Sequence, residues 1–177
     1  MKLLEAAEGE LFRSNIDHKH PFRYFSLATF GRFPEVRTVV KRMIHKDLSV
    51  LFFSDSRTPK IQEIRNNSKV TALFYHPKKK LQIRIRGNAK LVDQSDEHYS
   101  QYVNQVQQST NLKDYTTLQA PGSFLETETV AFGEEMYFAP VIIQPLELEI
   151  LQLNRSMHER CLYVREKDSW KEIQLVP

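Results

Sequence analysis

The chain has 177 residues and a mass of 20.9 kDa, with 41% hydrophobic and 27% charged residues. At roughly 150 residues per domain this is one compact domain with a sizeable core, and the composition excludes a disordered, collagenous or low-complexity protein. Cys161 is the single cysteine, which excludes an intramolecular disulfide and a zinc site built from several thiolates, and fits a reducing compartment. Glu5, Glu8 and Glu10 stand where a signal peptide needs its apolar core. No run approaches the ~18 apolar residues of a membrane span, so a cytoplasmic protein without membrane contact is expected.

The net charge of +3 is too small to argue for nucleic acid, but it is unevenly spread. Residues 37–90 carry 14 basic side chains against Asp47, Asp55 and Glu63, a net +11, whereas residues 91–154 carry Lys113 against ten acidic ones, a net −9. Either the basic block meets an anion, or the two blocks pair across the protein's own surface.

In chain order, Leu3, Leu4, Ala7, Leu11 and Phe12 recur at helical spacing, so a helix within residues 1–17 is expected to pack over the end of a sheet. Residues 22–92 read as a barrel core. Its strands are Tyr24–Phe30, Val36–Ile44, Leu48–Ser54, Lys69–Tyr75 and Leu81–Val92, mostly joined by turns. Short strands so crowded argue for an antiparallel barrel or sandwich rather than a βαβ fold. One helix interrupts them, with Thr58 as N-cap, Pro59 at the first position, and Ile61 and Ile64 on one face. A second helix is expected from Ser95 to about Gln108, inside a helical and loop insertion over 95–140 whose remainder shows mixed signals. Residues 146–177 close the chain as strands, with Cys161–Glu166 and Trp170–Val176 forming a hairpin. With 5 glycines, neither a P-loop nor a dinucleotide-binding fingerprint is present.

Three segments carry candidate chemistry. Ser54-Asp55-Ser56-Arg57-Thr58-Pro59-Lys60 combines a strand end, hydroxyls and two cations with a helix N-terminus, which suits a phosphate dianion or, alternatively, a capped surface helix. On strand Val36–Ile44, Arg37 and Lys41 lie on the face opposite Arg42, so a cation falls on a buried side and needs an anion or a salt bridge. On Leu81–Gly87, Gln82, Arg84 and Arg86 share the face opposite Leu81, Ile83 and Ile85, a covered face or a solvated one.

The order of Arg37–Arg42, Phe52–Lys60, Glu63–Val70 and Leu81–Gly87, followed by Asn154–Arg160, Trp170 and the final Leu-Val-Pro, resembles the pyridoxamine 5'-phosphate oxidase family of FMN-binding split barrels. The resemblance covers most of residues 22–92 and 146–177. It implies a mainly β, antiparallel split barrel with a few peripheral helices, and a homodimer holding FMN in clefts at the subunit interface. Arg37, Lys60, Ser54 and Arg57 would take the FMN phosphate. The strand through Thr38, Val39 and Val40 would run under the ring, and Gln82 and Arg160 would approach from the other subunit. Arg42 matches the family's substrate-contacting lysine, and His158 its active-site histidine, as a proton donor, a substrate contact or a structural hydrogen-bonding group.

The substrate half of the pattern departs from that family. No Arg lies between Arg86 and Arg155, and Ser156 stands where an arginine is expected two places before His158. The acidic stretch would repel a phosphorylated substrate. The expectation is therefore an FMN-dependent oxidoreductase with hydride transfer at flavin N5 and an unassigned small-molecule substrate; the alternative is a non-catalytic FMN carrier or sensor. An RNA surface built on Lys78–Lys80, Arg84 and Arg86 with Phe74 and Tyr75 explains fewer residues, so no nucleic-acid partner is expected. The histidines show no matched ligand set, so no metal is expected, and Cys161 reads as a buried hydrophobe.

Overall fold

A computed structural model describes residues 2–125 and 128–177. It contains helices α1 (Lys2–Arg13), α2 (Pro59–Asn66) and α3 (Tyr99–Gln107). The strands are β1 (Tyr24–Phe30), β2 (Pro34–Ile44), β3 (Val50–Asp55), β4 (Lys69–His76), β5 (Leu81–Leu91), β6 (Phe138–Gln152), β7 (Glu159–Glu166) and β8 (Ser169–Leu175). They form one antiparallel sheet in the order β3-β2-β1-β4-β5-β6-β7-β8. β3 also pairs with β6, which closes six strands into a barrel and leaves β7 and β8 as an outer extension.

Alternation builds the barrel. Val70, Ala72 and Phe74 on β4 and Leu81, Ile83 and Ile85 on β5 point inward, and their neighbours lie on the outer face. α1 buries Leu4, Ala7 and Leu11 in the same core, as its spacing predicts. β3 is buried at all six positions because both of its faces are covered. Val50 and Phe52 enter the barrel, while Leu51 and Phe53 pack outside against Tyr102 and Val106 of α3, Tyr115 and Phe138.

Three expectations are corrected. β6 starts at Phe138 rather than near residue 146, because Phe138–Ile143 pair with β3 and thereby close the barrel. Pro140 and Pro145 disguise that strand in the sequence, and opposite Pro145 the β5 ladder shifts register between Arg86 and Gly87. α3 begins at Tyr99 rather than Ser95. Thr58 is the N-cap of α2 in backbone conformation, but its side chain does not cap the helix. The insertion contains a 3-10 turn, Leu112–Tyr115, and a bridge between Thr117 and Phe132.

Candidate functional site

β2 and β3 pair at Lys41–Phe52, Met43–Leu51 and Ile44–Val50, and beyond Lys41 they part. Among the described residues, Phe53–Asp55 then pair only with β6, and Arg37–Val40 only with β1. β2 thus presents an open edge to the gap, with N–H and C=O groups not used in a ladder. The gap is a cavity of about 240 Å³, lined by Thr38, Val39, Val40 and Arg42 of β2, Phe53, Ser54 and Asp55 of β3, and Thr58 and Lys60, and completed by Asp114, Tyr115 and Pro121. A second cavity of about 430 Å³, lined by Glu35, Arg37, Pro59, Glu63 and Gly122, shares Thr58, Lys60 and Pro121 with the first.

The junction of the two cavities lies at the start of α2. Thr58 Oγ1 donates to the Asp55 carbonyl (2.8 Å) and lies 3.0 Å from Ser54 Oγ, so the first turn of α2 keeps N–H groups without a side-chain cap. Lys60 Nζ donates to Ser54 Oγ at 3.2 Å. Burial, and next the Arg37 charge, push the Lys60 ammonium below the ordinary lysine range. Arg37 donates to Glu63 Oε2 at 2.9 Å and also to Thr29 Oγ1, so the salt-bridge alternative for this cation is realised within the chain.

Arg42 lines the first cavity with its guanidinium carbon 5.3 Å from the Phe53 ring centroid; its charge acts on the Tyr115 phenol, and its Nε is buried without a partner. Burial pushes that phenol upward in pKa. The sequence reading missed Asp114, Tyr115 and Pro121. The aromatic in Leu112–Tyr115 was the available signal, since Tyr115 is buried against Phe138.

Other expected residues lie elsewhere in this chain. Arg57 lines neither cavity; it is engaged by Asp55, Thr117 and Leu118. Gln82 is on the outer face of β5, opposite Tyr75 and Leu151. Arg160 on β7 is bound to Glu149. His158 is exposed between β6 and β7, where its Nδ1 accepts from the Asn154 N–H at 3.2 Å. Arg84 and Arg86 are paired to Glu149, and Phe74 lies inside the barrel.

One buried cluster, Glu10, His20 and His76, places three ligand-type atoms within 4.8 Å of one another. Its tautomers do not fit a cation. The Nδ1 atoms of His20 and His76 accept from the Phe22 and Lys79 N–H groups (3.1 and 3.2 Å), so each neutral ring carries its proton on the Nε2 that faces Glu10. Lys79 Nζ adds a full charge 2.5 Å from Glu10 Oε1.

Residues 6–93 match the family described as Pyridoxamine 5'-phosphate oxidase, FMN-binding domain. The pyridoxine/pyridoxamine 5'-phosphate oxidase of Psychrobacter sp. is 32% identical over 173 residues, covering 86% of this chain and 79% of that one. The chain belongs to the pyridoxamine 5'-phosphate oxidase-like family of FMN-binding split barrels. Another oxidase of this family, from Aliarcobacter butzleri, is 26% identical over 191 residues, covering 98% of this chain and 84% of its own. Among solved structures, a pyridoxamine 5'-phosphate oxidase-related, FMN binding protein of Nostoc punctiforme matches with a TM-score of 0.76 at 22% identity, covering 97% of this chain and 96% of its own. PhzG of Burkholderia lata, solved with tetrahydrophenazine-1-carboxylic acid, matches at 0.75 and 20% identity, covering 98% and 92%. At these identities the structural matches establish the split-barrel fold.

The residues present fit the family's cofactor. A half-buried ammonium hydrogen-bonded to a serine, an uncapped helix start and a neighbouring guanidinium suit a phosphate. The open β2 edge offers alternating donors and acceptors to a flat heterocycle.

Proposed function

We propose that this protein binds FMN and acts as an FMN-dependent oxidoreductase on a small organic molecule, as a cytoplasmic homodimer. The observation that carries the reading is Lys60, a half-buried cation whose hydrogen-bond partner is a neutral hydroxyl, at the uncapped start of α2 and beside Arg37. Lys60, Ser54 and the first N–H groups of α2 take the phosphate, and Arg37 turns part of its charge from Glu63 toward it. Thr38, Val39 and Val40 run along the ring. Bound there, FMN supplies hydride chemistry at N5, and donors along its pyrimidine edge favour the reduced, anionic form.

The substrate side separates this member from a pyridoxamine 5'-phosphate oxidase. Asp114 lines the same cavity as Arg42, and α3 carries no Arg or Lys. A phosphate dianion would meet one cation and one anion there, so the substrate is read as an organic molecule without a phosphate ester. Arg42 and Tyr115 are the groups placed to orient it, and His158, Gln82 and Arg160 can serve only across a subunit boundary. Apolar side chains on the outer barrel face, Tyr24 at 50% and Tyr75 at 48% exposure, support such a boundary.

The test is titration of the purified protein with FMN, followed by visible absorbance and flavin fluorescence, with mass from light scattering. One FMN per chain in a particle of twice 20.9 kDa is the expected result. Absence of flavin binding overturns the reading. Flavin binding without turnover of any reductant would make the protein a carrier.

A further inference from the structure

The guanidinium of Arg57 sits at the junction of three elements. Arg57 Nε and one terminal nitrogen grip Asp55 (3.1 Å to Oδ1, 2.7 Å to Oδ2), and the Arg57 backbone N–H also donates to Asp55 Oδ1 at 2.8 Å. Asp55 is itself buried at the end of β3, which fixes the fork in one orientation. The same terminal nitrogen reaches the insertion at the Thr117 carbonyl (2.8 Å) and Thr117 Oγ1 (3.1 Å), and the other donates to the Leu118 carbonyl (3.2 Å). The guanidinium also lies 3.5 Å from the centroid of the Tyr137 ring.

The segment it grips leads straight to the cavities. Thr116 and Leu118 are tied to Gly133 and Ala131 by backbone hydrogen bonds of 2.7 and 2.9 Å, which fix the base of the segment. Thr117 Oγ1 donates to the Gln119 carbonyl at 2.9 Å and turns the chain, and Pro121 then lines both cavities with Gly122 beside it. Pro121 and Gly122 therefore stand across the mouth from Lys60 and Arg37, held there from the Arg57 end.

We infer that Arg57 is a positioning residue: it pins residues 116–122 as a strap across the cavity mouth, and the hold of this strap sets how fast a bound flavin leaves. The inference rests on the FMN reading above. It replaces the expected role of Arg57 as a phosphate ligand, because its donors are committed to Asp55 and the strap and it lines neither cavity. Loops that close over a ligand commonly govern its exchange in this way.

Riboflavin, which lacks the phosphate, separates the two roles. Dissociation rates of FMN and of riboflavin are measured by stopped-flow fluorescence for the wild type, Arg57→Ala and the milder Arg57→Lys, with urea midpoints as a folding control. Chymotrypsin cleavage after the exposed Phe124 is timed on the same proteins without flavin. A strap anchor predicts that both flavins leave faster by the same factor, about tenfold for the loss of several charged hydrogen bonds, and that cleavage accelerates. Faster loss of FMN with an unchanged riboflavin rate would make Arg57 a phosphate ligand and overturn the inference, as would unchanged rates for both. If the wild type binds neither flavin, the FMN reading fails, and the cleavage rate alone decides the strap: faster in Arg57→Ala upholds it and unchanged refutes it.

Discussion

Arg160 on β7 donates twice to one oxygen of Glu149 on β6, at 2.9 and 2.5 Å, while Arg84 and Arg86 of β5 hold the other. Glu149 is 4% exposed and contacts three guanidinium groups on the sheet surface, one of which, Arg86, also pairs with Glu147. Burial raises its pKa, but hydrogen bonds from Arg160 and Arg84 outweigh that and hold it below the usual carboxylate range. Part of the basic block is thus neutralised by the acidic one, as the pairing alternative requires.

Glu149→Gln leaves Arg84 and Arg160 crowded without their counter-charge, and Arg86 with Glu147 alone. A loss of about 2 kcal/mol is expected, below the value for fully buried pairs because the arginines remain partly solvated. Urea denaturation measures it, and an unchanged midpoint would show the cluster to be ornamental.

Lys60→Ala and Arg37→Ala are each expected to weaken FMN binding by about 1.5–3 kcal/mol, the range for hydrogen bonds to a charged group. The control is riboflavin, whose binding should change far less. Equal losses for both flavins would remove these side chains from the phosphate site.

Gly87 faces the Gln144 backbone, and a Cβ there would collide with the Gln144 carbonyl oxygen. The strands must move for any side chain to fit, so Gly87→Ala should lower stability by about 2 kcal/mol. Thermal unfolding checks this; a variant as stable as the parent would mean that the β5–β6 register shift relaxes freely.

Acid should loosen the attachment of α1. Burial lowers the His76 pKa from its ordinary 6.5. Around Glu10, burial acts upward but hydrogen bonds from Lys79 and His20 prevail, so its pKa is lowered from 4.5. Both folded-state values lie below the unfolded ones. The stability they contribute is therefore complete above pH 6.5 for His76 and above 4.5 for Glu10, and is lost as pH falls through the folded values. His20 and Arg13 also face Glu10 and complete the cluster. Hydrogen exchange of α1 amides should rise as pH drops below 6.5, after correction for intrinsic rates, and Glu10→Gln should flatten the lower part of that profile. No difference between variant and parent would free Glu10 from this role.

Lys41 predicts a slope on the alkaline side. Its ammonium is buried at the end of α1, donating to the Ser14 carbonyl (3.1 Å) and Asn15 Oδ1 (2.9 Å), and burial lowers its pKa to about 8. The unfolded chain holds that proton to about pH 10.4, so from about 8 upward deprotonation favours the folded state. Relative to Lys41→Met, the wild type should gain stability across this window, and parallel curves would contradict it.

The elements that could be read from the chain are those set by neighbours in sequence. β1 and β4 follow alternation, and α2 follows Thr58-Pro59 and the Ile61–Ile64 pair, because side-chain direction repeats every two residues in a strand and every turn in a helix. The same local reasoning brought Ser54 and Lys60 together, since a strand end feeding a helix start fixes their placement within a few residues, whereas Arg37 on β2 was joined to them by the family resemblance. It failed for Phe138–Ile143, whose two prolines mask a strand that exists because β3 needs a partner to close the barrel.

By itself the sequence determined an antiparallel barrel, a cation-rich turn at a helix start, and membership of a flavin-binding family. Only the tertiary structure decided that Arg57 turns to Asp55 and the strap, that Arg160 shares Glu149 with Arg84, and that Asp114 and Tyr115 enter the cavity. Each choice sets one charged or polar group against several candidate partners far apart in the chain. The winner is the partner that barrel closure brings within hydrogen-bonding distance, a selection no local pattern encodes.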